Sequence, residues 1–155
     1  MNPEPPLPIL DLPRPPLKMR AEGGQTLYFD VLRRKWLVLS PEEWVRQHVL
    51  FWLMAQSGWP AELLTVERSV RGSNTRSDVV AYNRLGRATL LVECKAPGLP
   101  LDEETARQAI QYNQKLNCPF LWLSNGLVHR VFRMSDAGYQ KLDALPGFEE
   151  MNENA

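Results

Sequence analysis

The chain's patterning predicts a mixed α/β (α+β) fold, a central mixed β-sheet flanked by helices. Three observations carry this. Paired apolar segments with alternating or β-branched character recur around short polar turns, at residues 26–39, 78–95 and 120–134. Two capped helical segments stand between those pairs. No internal repeat and no long apolar run points to a solenoid or a membrane bundle.

Taken in order, residues 1–18 hold seven prolines. Proline fixes φ and lacks an N–H, so an extended arm is expected, lying over its own domain or a neighbour or else solvated. Thr26 to Asp30 and Lys35 to Leu39 then read as a first hairpin around Leu32-Arg33-Arg34. Ser40-Pro41-Glu42-Glu43 is a helix start, with Ser40 at the N-cap, Pro41 at the first helical position and Glu43 completing a capping box. This helix runs to about Ser57, before Gly58 and Pro60, and its apolar residues cover most of its circumference, so it is expected to be largely buried.

Leu63 to Val70 reads as a strand and Arg71 to Ser77 as a polar loop. Asp78 to Tyr82 and Thr89 to Lys95 form a second hairpin around Asn83-Arg84-Leu85-Gly86-Arg87. Asp102 caps a second helix, to about Asn117, with Ala106, Ala109, Ile110, Asn113 and Leu116 inward. Phe120 to Ser124, Asn125-Gly126 and Leu127 to Met134 make a third hairpin with a two-residue turn. The expected organisation is an arm over 1–25, one domain over 26–148 and a frayed acidic tail over 149–155.

Composition narrows the function. With 44% apolar and 23% charged residues the chain reads as globular and neither disordered nor fibrous. The most apolar stretch, Val45 to Ala55, is broken by Arg46, Gln47 and His48 and falls short of the roughly 20 residues a membrane span needs. The N-terminus has no signal-peptide pattern, so a cytoplasmic location is expected. Cys94 and Cys118 read as small buried residues of a reducing compartment, the five tryptophans as core and the two histidines as structural. Zero formal charge weakens the case for tight unaided nucleic-acid binding.

The second hairpin carries the chemistry. Glu93 lies inside Leu90-Leu91-Val92-Glu93-Cys94-Lys95, and a carboxylate in such a strand needs a cation as partner. Pairing symmetric about the turn sets Tyr82 against Thr89, Val80 against Leu91 and Asp78 against Glu93. Opposed side chains on an antiparallel pair have Cβ atoms about 5 Å apart, so two carboxylates there call for a positive species between them. Lys95 falls on the same face as Glu93. The set suits a hard divalent cation. Two bland readings stand beside it: Asp78 as a turn cap, and Glu93 with Lys95 as an ion pair on a solvated sheet. Farther on, Gln108 and Tyr112 project from one helix face at i and i+4, as do Glu43 and Gln47 on the first helix.

The order of elements, Asp78, Glu93-Cys94-Lys95 and the segment Gln108-Ala109-Ile110-Gln111-Tyr112 resemble the PD-(D/E)xK nuclease superfamily. Within it they resemble the N-terminal nuclease domain of type I restriction enzyme R subunits, over about residues 36–132. The resemblance implies a restriction-endonuclease-like core and Mg²⁺-dependent hydrolysis of DNA phosphodiester bonds, with Mn²⁺ able to substitute. It places Asp78, Glu93, the Cys94 carbonyl and Glu43 on the metal, and Lys95 on the attacking water or scissile phosphate. Gln108, which it also counts as catalytic, joins Tyr112, Gln47 and Arg76 on the substrate. Glu43 has the alternative reading of a helix cap, and Arg71, Arg76, Arg84 and Arg87 that of ordinary surface charge. A DNA-translocating motor needs several hundred further residues, so a homo-oligomer or a targeting protein partner is expected alongside DNA. The rivals are a catalytically idle module that keeps the fold and binds nucleic acid or protein, and a structural subunit that clamps a partner with its arm.

Overall fold

The computed structural model describes residues 7–68 and 77–153. Two sheets form. The smaller is an antiparallel meander of β1 (Met19–Glu22), β2 (Gln25–Asp30) and β3 (Lys35–Val38). The larger has six strands in sequential order, β4 (Leu64–Arg68), β5 (Ser77–Tyr82), β6 (Ala88–Cys94), β7 (Phe120–Ser124), β8 (His129–Ser135) and β9 (Gly138–Leu142). All its pairs are antiparallel except β6 with β7, which is parallel and needs the crossover that α2 (Glu103–Leu116) supplies. The predicted mixed sheet flanked by helices is therefore the observed architecture.

Alternation along the strands decides which helix covers which face. Val79 and Ala81 of β5, Leu90, Val92 and Cys94 of β6 and Trp122 of β7 join Trp44, Val45, Val49 and Leu53 of α1 (Pro41–Ala55) in one buried core. The alternate residues Val80, Leu91, Leu121 and Leu123 pack with Leu101 and Ala109 on the α2 side. Ser40 starts α1 as expected, its Oγ accepting the Glu43 N–H at 3.1 Å, with Pro41 next. Asp102 does the same for α2 through the Thr105 N–H at 2.9 Å, and Asn117 ends it in the left-handed region.

Several expectations are corrected. The β5–β6 register holds from Asp78↔Glu93 to Ala81↔Leu90, but Tyr82 then faces Ala88 and not Thr89. Asn83 explains the slip: its N–H reaches the Arg87 carbonyl, and its Oδ1 accepts the Leu85 and Arg87 N–H groups at 3.0 and 2.9 Å. The turn so formed, with Gly86 at φ +77°, leaves Thr89 as the extra residue of a bulge. The third hairpin has a four-residue connection and not a two-residue turn, because the Asn125 side chain accepts the Leu127 and Val128 N–H groups and donates to the Leu99 carbonyl. The last two residues of the expected tail lie outside the described residues, but residues 149–153 are not frayed: α3 (Phe148–Glu153) buries Phe148 and Met151 in the α1-side core. Its acidic residues disguise it, since only two of its six positions face inward.

The arm lies over its own domain from Leu7 onward. Trp44 donates its indole N–H to the Pro8 carbonyl at 2.8 Å, Asp11 N–H bonds the Gly126 carbonyl at 2.7 Å, and Leu10 is buried against Gly126. Its last residues form β1, which prolines upstream gave no reason to expect. Because Leu10 belongs to the main core, Leu10→Ala should destabilise the protein by about 2–4 kcal/mol in urea unfolding. A midpoint equal to wild type would mean that the arm is not held there.

Candidate functional site

Glu93 sits near the C-terminal end of β6, paired across to Asp78 on β5 and alongside Leu123 on β7. Leu91 and Leu123 belong to the α2-side core, so Glu93 lies on that face, and it is only 1% exposed. Lys95 brings its Nζ to 3.2 Å from Glu93 Oε1, and its own side chain is 26% exposed. The strand is held there beyond its formal end by the Lys95 N–H, which donates to the Ser124 carbonyl at 2.8 Å. The site thus stands where parallel β6 and β7 end together, the place where open α/β sheets bind ligands. The structure brings together backbone positions 78 and 93 and the side chains of Glu93 and Lys95, in the register the sequence suggested. The side chain of Asp78, and Arg76 entirely, lie outside the described residues.

Cys94 points to the opposite, α1-side core and is buried, as is Cys118. Burial pushes the Cys118 thiol up to about 12. On α2, half-buried Gln108 and Tyr112 line a shallow groove of about 190 Å³ with Gln111 and Lys115. The Gln108 amide donates to Glu104 Oε1 at 3.3 Å, and Tyr112 also packs on the core beneath. Gln108 and Tyr112 therefore stand on the helix that covers the face of Glu93 and Lys95.

Glu43 and Gln47 belong to a different cluster, which the sequence reading missed. The Glu43 carboxylate accepts the Tyr28 hydroxyl and is ion-paired with Arg33 and Arg46. It does not turn back to close a capping box. Asp30 accepts the Leu32 and Arg33 N–H groups on Oδ1 at 2.9 and 3.0 Å and the Arg33 Nε on Oδ2 at 2.7 Å, while the Gln47 amide reaches that Oδ2 at 3.4 Å. Asp30, Glu43, Arg46 and Gln47 are all buried. Arg46 stands three residues after Glu43 inside a helix apolar nearly all round, the one sign in the sequence that a buried partner was needed. Burial draws the Arg46 guanidinium below its ordinary value, Arg33 adding to this and Cys94, Tyr28 and Asp30 opposing it.

Arg84 and both histidines have structural partners. Arg84 grips Glu149 with both terminal nitrogens, at 3.0 and 2.7 Å, at the turn end of the β5–β6 hairpin, away from the Asp78–Glu93 pair. His48 is structural as expected: its Nδ1–H donates to the Trp44 carbonyl at 2.7 Å, and burial draws it below the ordinary histidine value. His129 ties the arm to the sheet, its Nδ1 meeting Ser124 Oγ at 2.9 Å and its Nε2 the Asp11 carbonyl at 3.3 Å.

Burial would raise Asp30, but hydrogen bonds from the Arg33 backbone and side chain, with that residue's charge and the Leu32 N–H, hold it below the ordinary value. Its stabilisation is therefore present above the unfolded value of about 4 and is lost as pH falls through the lower folded value. Asp30→Asn should cost about 3 kcal/mol at pH 7 by urea unfolding. It should also flatten the stability decline between pH 5 and pH 2 relative to wild type, and an equally steep decline in both proteins would remove Asp30 from the acid response.

Among the described residues, no group of three or more His, Cys, Asp or Glu side chains is placed to hold a metal ion, and no helix is long and apolar enough to cross a membrane. Comparison with curated proteins finds no match. The sequence pattern of the family described as type I restriction enzyme R protein N terminus matches residues 41–146, from the start of α1 to just before α3. That match spans both flanking helices, the whole six-stranded sheet and the Glu93–Lys95 pair, and the chain belongs to this family.

Proposed function

We propose that the domain is a PD-(D/E)xK-type deoxyribonuclease that hydrolyses DNA phosphodiester bonds with a divalent cation. The observation that carries the reading is the register of β5 on β6, which pairs position 78 with a Glu93 that is 1% exposed and has Lys95 Nζ 3.2 Å away. Family membership adds a restriction-related context.

The donor set fits a hard cation, because Asp78 and Glu93 offer only carboxylate oxygen and the Cys94 carbonyl adds another oxygen by family analogy. Mg²⁺ is the ion of choice, with Mn²⁺ as substitute, and when bound it would activate water and neutralise charge on the phosphate. Lys95 orients the water and stabilises negative charge developing on the phosphate oxygens, a role suited to an ammonium that is partly exposed beside a buried carboxylate. Gln108 and Tyr112 hold a neighbouring phosphate from the α2 groove. Glu43 and Gln47 are assigned to the scaffold, since Tyr28, Arg33 and Arg46 already occupy the Glu43 carboxylate and Gln47 is turned to Asp30. DNA is the substrate, and a targeting protein or a second copy is the partner expected for a chain of zero formal charge.

A second reading has one observation in its favour. Lys95 already neutralises Glu93 without any ion, as it would in an idle module that keeps the fold only to bind. Nicking of supercoiled plasmid separates the two. Wild type should nick with Mg²⁺ or Mn²⁺ and not in EDTA, and Lys95→Ala and Glu93→Gln should each lose about a hundredfold or more in rate, with DNA binding retained by Lys95→Ala. Absence of metal-dependent nicking by wild type would favour the idle module.

A further inference from the structure

The outer face of the β1–β3 meander breaks the usual pattern of a sheet with one side on the core. Such strands alternate apolar residues inward with polar residues outward. Here the inner positions Tyr28 and Asp30 enter the buried polar cluster with Glu43. Cross-strand pairing sets Arg20, Leu27 and Val38 in one row of the outer face, and Phe29 with Trp36 in the next. Lys18 extends that second row, its carbonyl accepting the Phe29 N–H at 3.0 Å. None of Leu27, Phe29, Trp36 and Val38 belongs to either buried core. Trp36 is 36% exposed and Val38 48%, against the core placement expected for every tryptophan. Phe29 and Trp36 meet edge to face at 5.7 Å, and the Arg20 guanidinium lies 4.3 Å from the Trp36 ring centre.

Charge is concentrated in the same segment. Arg33 and Asp30 neutralise each other in the buried cluster. That leaves five exposed basic residues between positions 14 and 38 against one exposed acid, Glu22, which pairs with Arg20: Lys18 and Arg20 stand on the outer face and Arg34 in the β2–β3 turn, while Lys35, level with Asp30, belongs to the other face and Arg14 lies over the Trp44 ring. The segment therefore carries a surplus of four positive charges in a chain whose formal charge is zero.

From these observations we infer that the outer face of β1–β3 is a platform for single-stranded nucleic acid. Aromatic faces accept any base by stacking, and a basic margin follows the phosphates, the two elements of sequence-tolerant single-strand binding. An exposed cation–π contact is weak, so Arg20 can leave the Trp36 ring to a base and turn to a phosphate. A protein partner would also cover an apolar face, but the cationic margin beside exposed rings favours a polyanion with flat bases. The inference rests on the nuclease reading only in giving that enzyme a way to hold an unpaired strand, and it is tested without cleavage.

The test is fluorescence anisotropy in EDTA at low salt, with short labelled thymidine and uridine oligonucleotides and a duplex of equal length. Wild type should bind single strands better than duplex, the thymidine and uridine arms telling which sugar is preferred. Trp36→Ala and Phe29→Ala should each weaken single-strand binding by about tenfold, with Trp36→Tyr restoring most of it and circular dichroism confirming the fold. Lys18→Gln and Arg20→Gln should each flatten the dependence of log affinity on log salt by about 0.7. Single-strand affinity unchanged in Trp36→Ala would overturn the platform. So would a loss of dimer mass in that variant with DNA affinity intact, which would make the face a contact between copies. Platform binding without metal-dependent nicking would sink only the nuclease reading, whereas nicking with no effect of the platform variants on binding would sink only the platform.

Discussion

A carboxylate almost wholly withdrawn from water near the end of the central strand β6 must have positive charge beside it, and this demand organises the larger sheet. Lys95 meets it only because β6 continues past Cys94, held by a hydrogen bond to the Ser124 carbonyl on parallel β7. That parallel pairing requires a crossover, and the crossover is α2, which brings Gln108 and Tyr112 to the face that Glu93 occupies. On the other edge of β6 the antiparallel register brings position 78 level with Glu93. One residue of slip in either ladder would turn Glu93 into the α1-side core among Val79, Val92 and Trp122, with no ammonium in reach.

The second buried charge cluster solves a different problem with the same physics. Two acids, Asp30 and Glu43, and two arginines, Arg33 and Arg46, are taken from water at the junction of the small sheet and α1. Each carboxylate oxygen meets a donor, and Tyr28 links the pairs, so breaking any member strands the others. This fixes the meander to α1 without an apolar core of its own. It also engages Glu43, whose carboxylate does not close a capping box but meets Tyr28, Arg33 and Arg46.

Much of the fold was legible because it is written in short-range signals. Ser40-Pro41, Asp102 and the Asn83–Gly86 turn act within a few residues of themselves, and the helix bounds and the strand register over Asp78 to Ala81 followed from them. What escaped depends on contacts distant in sequence. Phe148 at the domain's end and Met151 in the acidic tail look like isolated apolar residues until Trp59 and Arg84 are brought against Phe148 and Met151 enters the α1-side core. The bulge at Thr89 depends on a side-chain oxygen of Asn83 that bonds two turn N–H groups, which no hydrophobic period records. Of the candidate site, Glu93 and Lys95 were legible because a charge in an apolar run is an anomaly; the Asp30 cluster was not, because aspartate before a turn is commonplace.

Charge segregation connects the two halves of the molecule. A formal charge of zero is an average over a basic segment at positions 14–38 and an acidic remainder, and electrostatic attraction to a polyanion depends on the local field and not on the average. The acids are themselves partly consumed: Glu149 by Arg84, Glu104 by Arg107, and Asp30 and Glu43 within the buried cluster. In the proposed reading the carboxylates of positions 78 and 93 serve a cation and not a phosphate, so part of the affinity for a nucleic-acid chain comes from other surfaces. On that reading Lys18 and Arg20, beside Phe29 and Trp36 on the outer face of β1–β3, would supply such charge and would separate the holding of a strand from its cutting.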